Sequence, residues 1–95
     1  MTGAIGPLQV VLCDDEPWIC RSLAKMIGEL GLPLVVASEC RKADEALEYL
    51  GANHVDILIT DIRMPGRDGL ELVDMAKAIH PALQALVVSG YDEFP

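Results

Sequence analysis

Acidic side chains follow two apolar runs of this sequence, where they could support metal-ion or phosphoryl chemistry. Asp14 and Asp15 come directly after the uncharged run at residues 10–13, and Asp61 closely follows the mostly apolar stretch at 55–59. Carboxylates that lie close together raise each other's pKa and cost stability unless a cation or water compensates. A hard divalent cation would resolve that repulsion, and an ionised aspartate can also act as a nucleophile.

The apolar pattern predicts strands that alternate with helices. Mostly apolar stretches, typical of parallel strands buried on both faces, lie at 8–13, 34–37, 55–59 and 83–88, and the third runs into Thr60 and Asp61. Apolar residues spaced by three and four indicate helices at 17–30, 42–50 and 70–79. We expect Asp68 to cap the third helix, and Gly31 and Gly51 to end the first and second.

Strands and helices in this order predict an open α/β sheet of parallel strands with right-handed crossovers. Ligands of such sheets bind beyond the carboxyl ends of the strands. If the first and third strands are neighbours, Asp14, Asp15 and Asp61 meet on one rim. Mg²⁺ suits such a rim because it binds one or two carboxylates together with waters and phosphate oxygens. Ser89, after the fourth strand, could then hydrogen-bond a phosphoryl oxygen.

Composition limits the classes of partner and compartment. The 95 residues suffice for one domain, 52% of them are apolar, and the net charge of −8 argues against binding to nucleic acid or an anionic membrane. The three cysteines are odd in number and have no C-x-x-C spacing, so neither a zinc site nor a disulfide framework follows. We therefore expect reduced thiols, a cytoplasmic location, no secretory signal and no membrane span.

Three blocks of the sequence resemble the receiver domain of two-component response regulators. They are CDDEP at 13–17, DIRMPGRDGL at 61–70 and VVSG at 87–90, in the order that the family has them. The resemblance runs from about residue 8 to residue 95. It implies a flavodoxin-like fold with strand order 2-1-3-4-5, of which this chain would carry the 2-1-3-4 part.

The resemblance also implies a role for each residue of the rim. Asp61 would be the phosphoacceptor, supplied by a histidine kinase. Asp15 would be the direct carboxylate ligand of Mg²⁺, and Asp14 would act mostly through water. The backbone carbonyl of Arg63 would complete the protein ligands, and Ser89 would be the switch hydroxyl. Such a domain is a phosphoacceptor with self-catalysed phosphotransfer and dephosphorylation, so we do not expect an enzyme.

A full receiver continues for about another helix, strand and helix, which include a lysine that pairs with the phosphoryl group. We therefore expect a flexible lead-in at 1–7 and a partial receiver at 8–95, a fragment impaired in Mg²⁺ binding and phosphorylation. It would otherwise cover its apolar surface by self-association or strand exchange. Residues 89–94 are similar to receivers joined to AraC-type output domains, which predicts a DNA-binding partner domain and regulation of transcription.

Two other classes of function stay open. A metal-dependent phosphatase with an aspartyl nucleophile usually has an acid/base carboxylate two residues after that nucleophile, and here the position holds Arg63. A degenerate or truncated receiver would act only as a protein-interaction or dimerisation module. The complete set of Asp14, Asp15 and Asp61 argues against degeneration, whereas truncation would favour it.

Overall fold

Strands and helices alternate along the chain in a computed structural model that describes residues 6–88. They are β1 Leu8–Cys13, α1 Pro17–Glu29, β2 Leu34–Cys40, α2 Ala43–Ala52, β3 Ile57–Asp61, α3 Gly69–Ile79 and β4 Gln84–Val88. All three strand pairings are parallel, and the strand order is β2-β1-β3-β4. The predicted open parallel sheet and its strand order are confirmed. Residues 1–5 of the lead-in predicted at 1–7, and Ser89, lie outside the described residues.

Several predicted element boundaries are wrong by one to three residues. β2 continues to Cys40, because its pairing with β1 extends to the partners Cys13 and Cys40. α2 runs through Gly51, whose backbone is not in the left-handed region that ends helices at glycine. β3 begins at Ile57 rather than at residue 55, and β4 begins at Gln84 rather than at residue 83.

The helices cover the two faces of the sheet unequally. On one face, α2 packs on β1 and β2 while α3 packs on β3 and β4, around a core that includes Val11, Leu58 and Leu72. On the other face, α1 packs on β1 and β2 only, over Val10 and Leu12. Within residues 6–88, the β3 and β4 half of this second face therefore has no helix upon it.

None of the helices among the described residues is both long and apolar enough to cross a membrane. The longest, α1, has 13 residues, whereas a helix that spans the hydrocarbon core needs about 20.

Candidate metal and phosphoacceptor site

The register of the sheet brings the acidic residues of two strands together. β1 and β3 are direct neighbours, and Cys13, the last residue of β1, pairs with Thr60. Asp14, the residue after β1, therefore lies level with Asp61, the last residue of β3. One carboxylate oxygen from each of Asp14, Asp15 and Asp61 lies within 4.8 Å of the others. The structure thus places on one rim the three carboxylates that sequence reasoning selected.

Asp14 is the most enclosed member of this acidic cluster. The residue is only 5% exposed, its Oδ1 accepts a hydrogen bond from the backbone N–H of Glu16 at 2.9 Å, and its own N–H donates to the Cys40 carbonyl at 2.9 Å. Burial, together with the nearby charges of Asp61 and Asp15, raises the pKa of Asp14, although the Glu16 hydrogen bond opposes the rise. A cation among these carboxylates would remove the repulsion that raises it.

Gly69 holds the start of α3 against the end of β3. Its N–H donates to the carbonyl of Ile62 at 2.7 Å, and a Cβ at this position would overlap with the backbone carbonyl of Asp61. Any larger residue would therefore push apart the strand end that carries Asp61 and the helix that follows it. Sequence reasoning gave this glycine no role, although an Asp-Gly pair at a predicted helix start was the available signal.

The start of α3 is fixed by a reciprocal cap. Asp68 accepts a hydrogen bond from the N–H of Glu71 at 2.9 Å, and the Glu71 side chain accepts from the N–H of Asp68 at 3.1 Å. This capping box satisfies two backbone donors that the helix itself cannot. The predicted N-cap at Asp68 is confirmed, and Glu71 is the partner that sequence reasoning missed.

The loop between β3 and α3 is anchored by a buried methionine. Met64 is 8% exposed, and its Sδ lies 3.6 Å from the Sγ of Cys13 at the end of β1. Gly66 has a φ of +83°, a left-handed conformation that suits glycine. Arg67 pairs with Asp44 of α2 at 3.5 Å. The N–H of Ile62 donates to the Val88 carbonyl at 3.3 Å, so contacts hold the loop before and after Arg63, and the metal-ligand role of the Arg63 carbonyl stays a prediction.

The donor set of the acidic cluster fits a hard cation. Its three donors are carboxylate oxygens, which Mg²⁺ prefers over nitrogen and sulfur. The thiols of Cys13, Cys20 and Cys40 are free and buried nearby, and burial raises the pKa of Cys13 to about 12. These thiols are neutral near pH 7 and behave as small apolar groups, so they leave the hard oxygen character of the site unchanged.

Comparison with known proteins identifies relatives over nearly the whole chain. The family model of the response regulator receiver domain matches residues 10–95. An uncharacterized transcriptional regulatory protein of Bacillus subtilis, YesN, is 36% identical over 86 residues, which are 90% of this chain and 23% of that protein. The C4-dicarboxylate transport transcriptional regulatory protein DctD of Rhizobium meliloti is 39% identical, over 90% of this chain and 18% of that protein.

A solved receiver structure shows the same fold. The REC domain of AraT, a response regulator from Geobacillus stearothermophilus, matches with a TM-score of 0.80 and 35% identity, over 92% of this chain and 67% of that one. The chain spans less than a quarter of the length of each of these two curated relatives. With the family model covering all but the first nine residues, the chain belongs to the response regulator receiver domain family.

Proposed function

We propose that this domain accepts a phosphoryl group on Asp61, with Mg²⁺ held by the acidic cluster, and so switches an output domain. The observation that carries the proposal is the convergence of Asp14, Asp15 and Asp61 from two neighbouring strands, with one carboxylate oxygen from each within 4.8 Å of the others. Asp15 would be the direct carboxylate ligand of the cation, and Asp14 would act mostly through water. Asp61 would share the site, and the Arg63 backbone carbonyl would be the remaining protein ligand.

In the proposed reaction, a carboxylate oxygen of Asp61 attacks the phosphorus of a phosphohistidine on the donor kinase. The phosphorus–nitrogen bond breaks, and an acyl phosphate forms on Asp61. The bound cation would neutralise charge on the phosphoryl oxygens during transfer. Arg63 occupies the position two residues after Asp61, where aspartyl phosphatases usually have an acid/base carboxylate. Its presence supports a phosphoacceptor in signalling rather than an enzyme that turns over a substrate.

Electrostatics explains why the transfer should depend on a cation. Phosphorylation would add a charge of about −1.5 to −2 beside carboxylates that already repel one another. The Asp14 and Asp15 side chains can offset this charge only through a bound cation. Loss of Mg²⁺ is therefore expected to stop the reaction.

Signal output and partners follow from the family and from the named relatives. A histidine kinase would supply the phosphoryl group, and the reaction would take place in the cytoplasm. Ser89 would move its hydroxyl toward the phosphoryl group and bias a two-state element. YesN and DctD are named as transcriptional regulatory proteins, which supports a DNA-binding output domain and control of transcription.

The direct test is phosphorylation by a small acyl-phosphate donor, followed by intact mass measurement. We expect addition of one phosphoryl group to part or all of the chains with Mg²⁺, none with chelator present, and none in Asp61→Ala. Asp56→Ala is the matched control, because Asp56 lies at the opposite end of β3 and should keep the addition. The proposal would be contradicted if the folded chain gained no phosphoryl group with Mg²⁺, or if Asp61→Ala still gained one.

Trp18 offers an optical test of metal binding. It is the single tryptophan, and its Nε1 donates to the Glu16 carboxylate at 2.7 Å, while the N–H of Glu16 bonds the Asp14 carboxylate at 2.9 Å. A cation bound beside Asp14 should therefore change the fluorescence of Trp18. We expect saturable quenching by Mg²⁺ that Asp61→Ala weakens or abolishes, and a flat titration of folded protein would oppose a working site.

A second candidate role, an interaction module that acts without phosphorylation, is favoured by one observation. The β3 and β4 half of one sheet face has no helix upon it among residues 6–88, and it exposes aliphatic side chains such as Leu86. An interaction module would self-associate equally well with Asp61 intact or replaced. Measurement of oligomeric state in Asp61→Ala therefore separates this role from phosphoryl signalling.

A further inference from the structure

Thr60 is a buried hydroxyl residue directly before the proposed phosphoacceptor, and its side chain binds the backbone of that aspartate. It is 0% exposed and follows three aliphatic residues of β3. A hydroxyl that is removed from water costs free energy unless it has a hydrogen-bond partner. The Thr60 Oγ1 donates to the Asp61 carbonyl at 3.0 Å, so the partner of this buried hydroxyl is the residue at the centre of the proposed site.

The Asp61 carbonyl lies beyond the end of the pairing between β1 and β3. That pairing ends at Cys13 and Thr60. β3 continues to pair with β4 for one more residue, through Asp61 and Val88. The C=O and N–H of one trans peptide point in opposite directions. Because the N–H of Ile62 donates to the Val88 carbonyl at 3.3 Å, the Asp61 carbonyl is directed away from β4, and the Thr60 hydroxyl supplies its donor where the β1 pairing has ended.

The peptide between Asp61 and Ile62 affects two parts of the proposed site. Its orientation sets the backbone angle ψ of Asp61, and side-chain rotamers depend on φ and ψ, so the direction of the Asp61 carboxylate depends on it. The same peptide begins the loop that leads to Arg63, whose carbonyl is the proposed remaining protein ligand of the cation. A hydrogen bond to the Asp61 carbonyl therefore acts on the phosphoacceptor and on the loop together.

Gly69 limits the space around the same carbonyl. Even a Cβ at Gly69 would overlap with the Asp61 carbonyl, so the start of α3 packs directly against it. The Gly69 N–H is engaged elsewhere, because it donates to the Ile62 carbonyl at 2.7 Å. Gly69 thus restricts how far the peptide can move, whereas the Thr60 hydroxyl fixes the direction of the carbonyl.

We propose that Thr60 is a positioning residue for phosphoryl transfer, whose hydroxyl holds the peptide between Asp61 and Ile62 in the orientation that the site requires. This inference rests on the proposed phosphoacceptor role of Asp61 and deepens it. Valine has nearly the shape of threonine without the hydroxyl, and it suits a buried strand. Serine keeps the hydroxyl without the methyl group. The two substitutions therefore separate the hydrogen bond from the packing.

The test is the rate of Mg²⁺-dependent phosphoryl addition from a small acyl-phosphate donor, followed by intact mass. Loss of one hydrogen bond predicts that Thr60→Val is slower by about three- to tenfold, whereas Thr60→Ser stays within about twofold of the unmodified chain. Stability in urea should follow the reverse order, because Thr60→Ser leaves a void in the core and Thr60→Val does not. A purely structural role predicts the same order for rate and stability.

Ser38→Ala is the matched control. It removes a partly buried hydroxyl of β2 that lies 3.5 Å from the Cys40 Sγ, and it should leave the rate unchanged. A Thr60→Val chain that reacts as fast as the unmodified chain overturns the inference, and so does an equal loss of rate in Thr60→Ser. If the unmodified chain gains no phosphoryl group, the proposed function itself fails and the role of Thr60 with it, so the two failures are distinguishable.

Carbon-13 NMR of the Asp61 carbonyl tests the hydrogen bond without phosphoryl transfer. A hydrogen bond to a carbonyl deshields its carbon. The Asp61 resonance, detected through the N–H of Ile62, should therefore move upfield in Thr60→Val and stay in place in Thr60→Ser. The carbonyl of Met26, in α1, is the internal reference and should not move. An Asp61 resonance that is unchanged in Thr60→Val overturns the proposal.

Discussion

Aspartates lie near both ends of β3, and their surroundings shift the carboxyl pKa in opposite directions at the two ends. At the amino end, Asp56 Oδ2 accepts from the N–H of Gln9 at 2.7 Å and Oδ1 lies 2.7 Å from His54 Nε2. These hydrogen bonds, that from Gln9 above all, lower the pKa of Asp56 below its ordinary value of 3.8. At the carboxyl end, burial and the charges of Asp61 and Asp15 raise the pKa of Asp14.

Asp56, at the amino end, has a structural role, whereas the acidic cluster at the carboxyl end is suited to binding a cation. Asp56 has its hydrogen-bond partners within the fold, so it contributes to stability in its ionised form. Asp14 has one such bond and two carboxylate neighbours, so its ionised form costs stability until a cation binds. The differences between the two ends of β3 lead to the following predictions.

The largest effect is expected from Gly69→Ala, which disturbs the carboxyl end of β3 alone. The added Cβ would overlap with the Asp61 carbonyl, and relief requires backbone movement, so we expect a loss of about 2–3 kcal/mol in the free energy of unfolding. Urea denaturation measures it. Gly51→Ala is the control: the new Cβ meets no atom within 4 Å inside α2, and stability should rise by up to about 1 kcal/mol. Equal effects at the two glycines would contradict the close packing at Gly69.

Mg²⁺ is expected to stabilise the protein through the carboxyl end only. At a concentration ten times its dissociation constant, the ion should add about 1.4 kcal/mol to the free energy of unfolding. Thermal denaturation with and without Mg²⁺ measures the gain. Asp61→Asn should lose most of it and Asp56→Asn should keep it, and an equal gain in both variants would indicate binding elsewhere.

Without metal, matched substitutions at the two ends should change stability in opposite directions. Asp14→Asn removes a buried, repelled charge while keeping an acceptor for the N–H of Glu16, so we expect a gain of about 1 kcal/mol. Asp56→Asn removes a charge held by favourable hydrogen bonds, so we expect a loss of about 0.5 kcal/mol. Urea denaturation in the presence of chelator gives both values. A loss for Asp14→Asn would show that the ionised cluster stabilises the fold without metal.

The smallest effect is the acid sensitivity that Asp56 contributes. Because folding lowers its pKa, the stabilisation is fully present above the ordinary value of 3.8 and is lost as the pH falls through the lower pKa of the folded state. Unfolding measured at pH 5 and pH 3 should show a difference between the unmodified chain and Asp56→Asn that shrinks toward pH 3. A difference that grows toward pH 3 would mean that folding does not lower the pKa of Asp56.

Much of the fold could be predicted because its signals are local. The aliphatic runs, the helical spacing and the cap at Asp68 each depend on a few neighbouring residues, and the structure confirms the elements that they predict. One boundary that was wrong depends on a distant partner, and another on a glycine that keeps the helical conformation. β2 reaches Cys40 only because β1 continues to pair with it, and α2 passes Gly51 although the sequence predicted its end there.

The sequence alone determined which residue types stand at the ends of the apolar runs, and hence that carboxylates were available for a cation and a phosphoryl group. The apolar pattern and the spacing left open whether the first strand lies beside the third, since strand order depends on how helices and strands pack over long separations; only the resemblance to receiver domains implied that order. Packing alone also decided that Gly69 touches Asp61, that the Asp56 carboxylate has hydrogen-bond partners within the fold, and that Asp14 is buried beside two other carboxylates. Each of these depends on atoms that are far apart in the chain and adjacent only in the folded molecule.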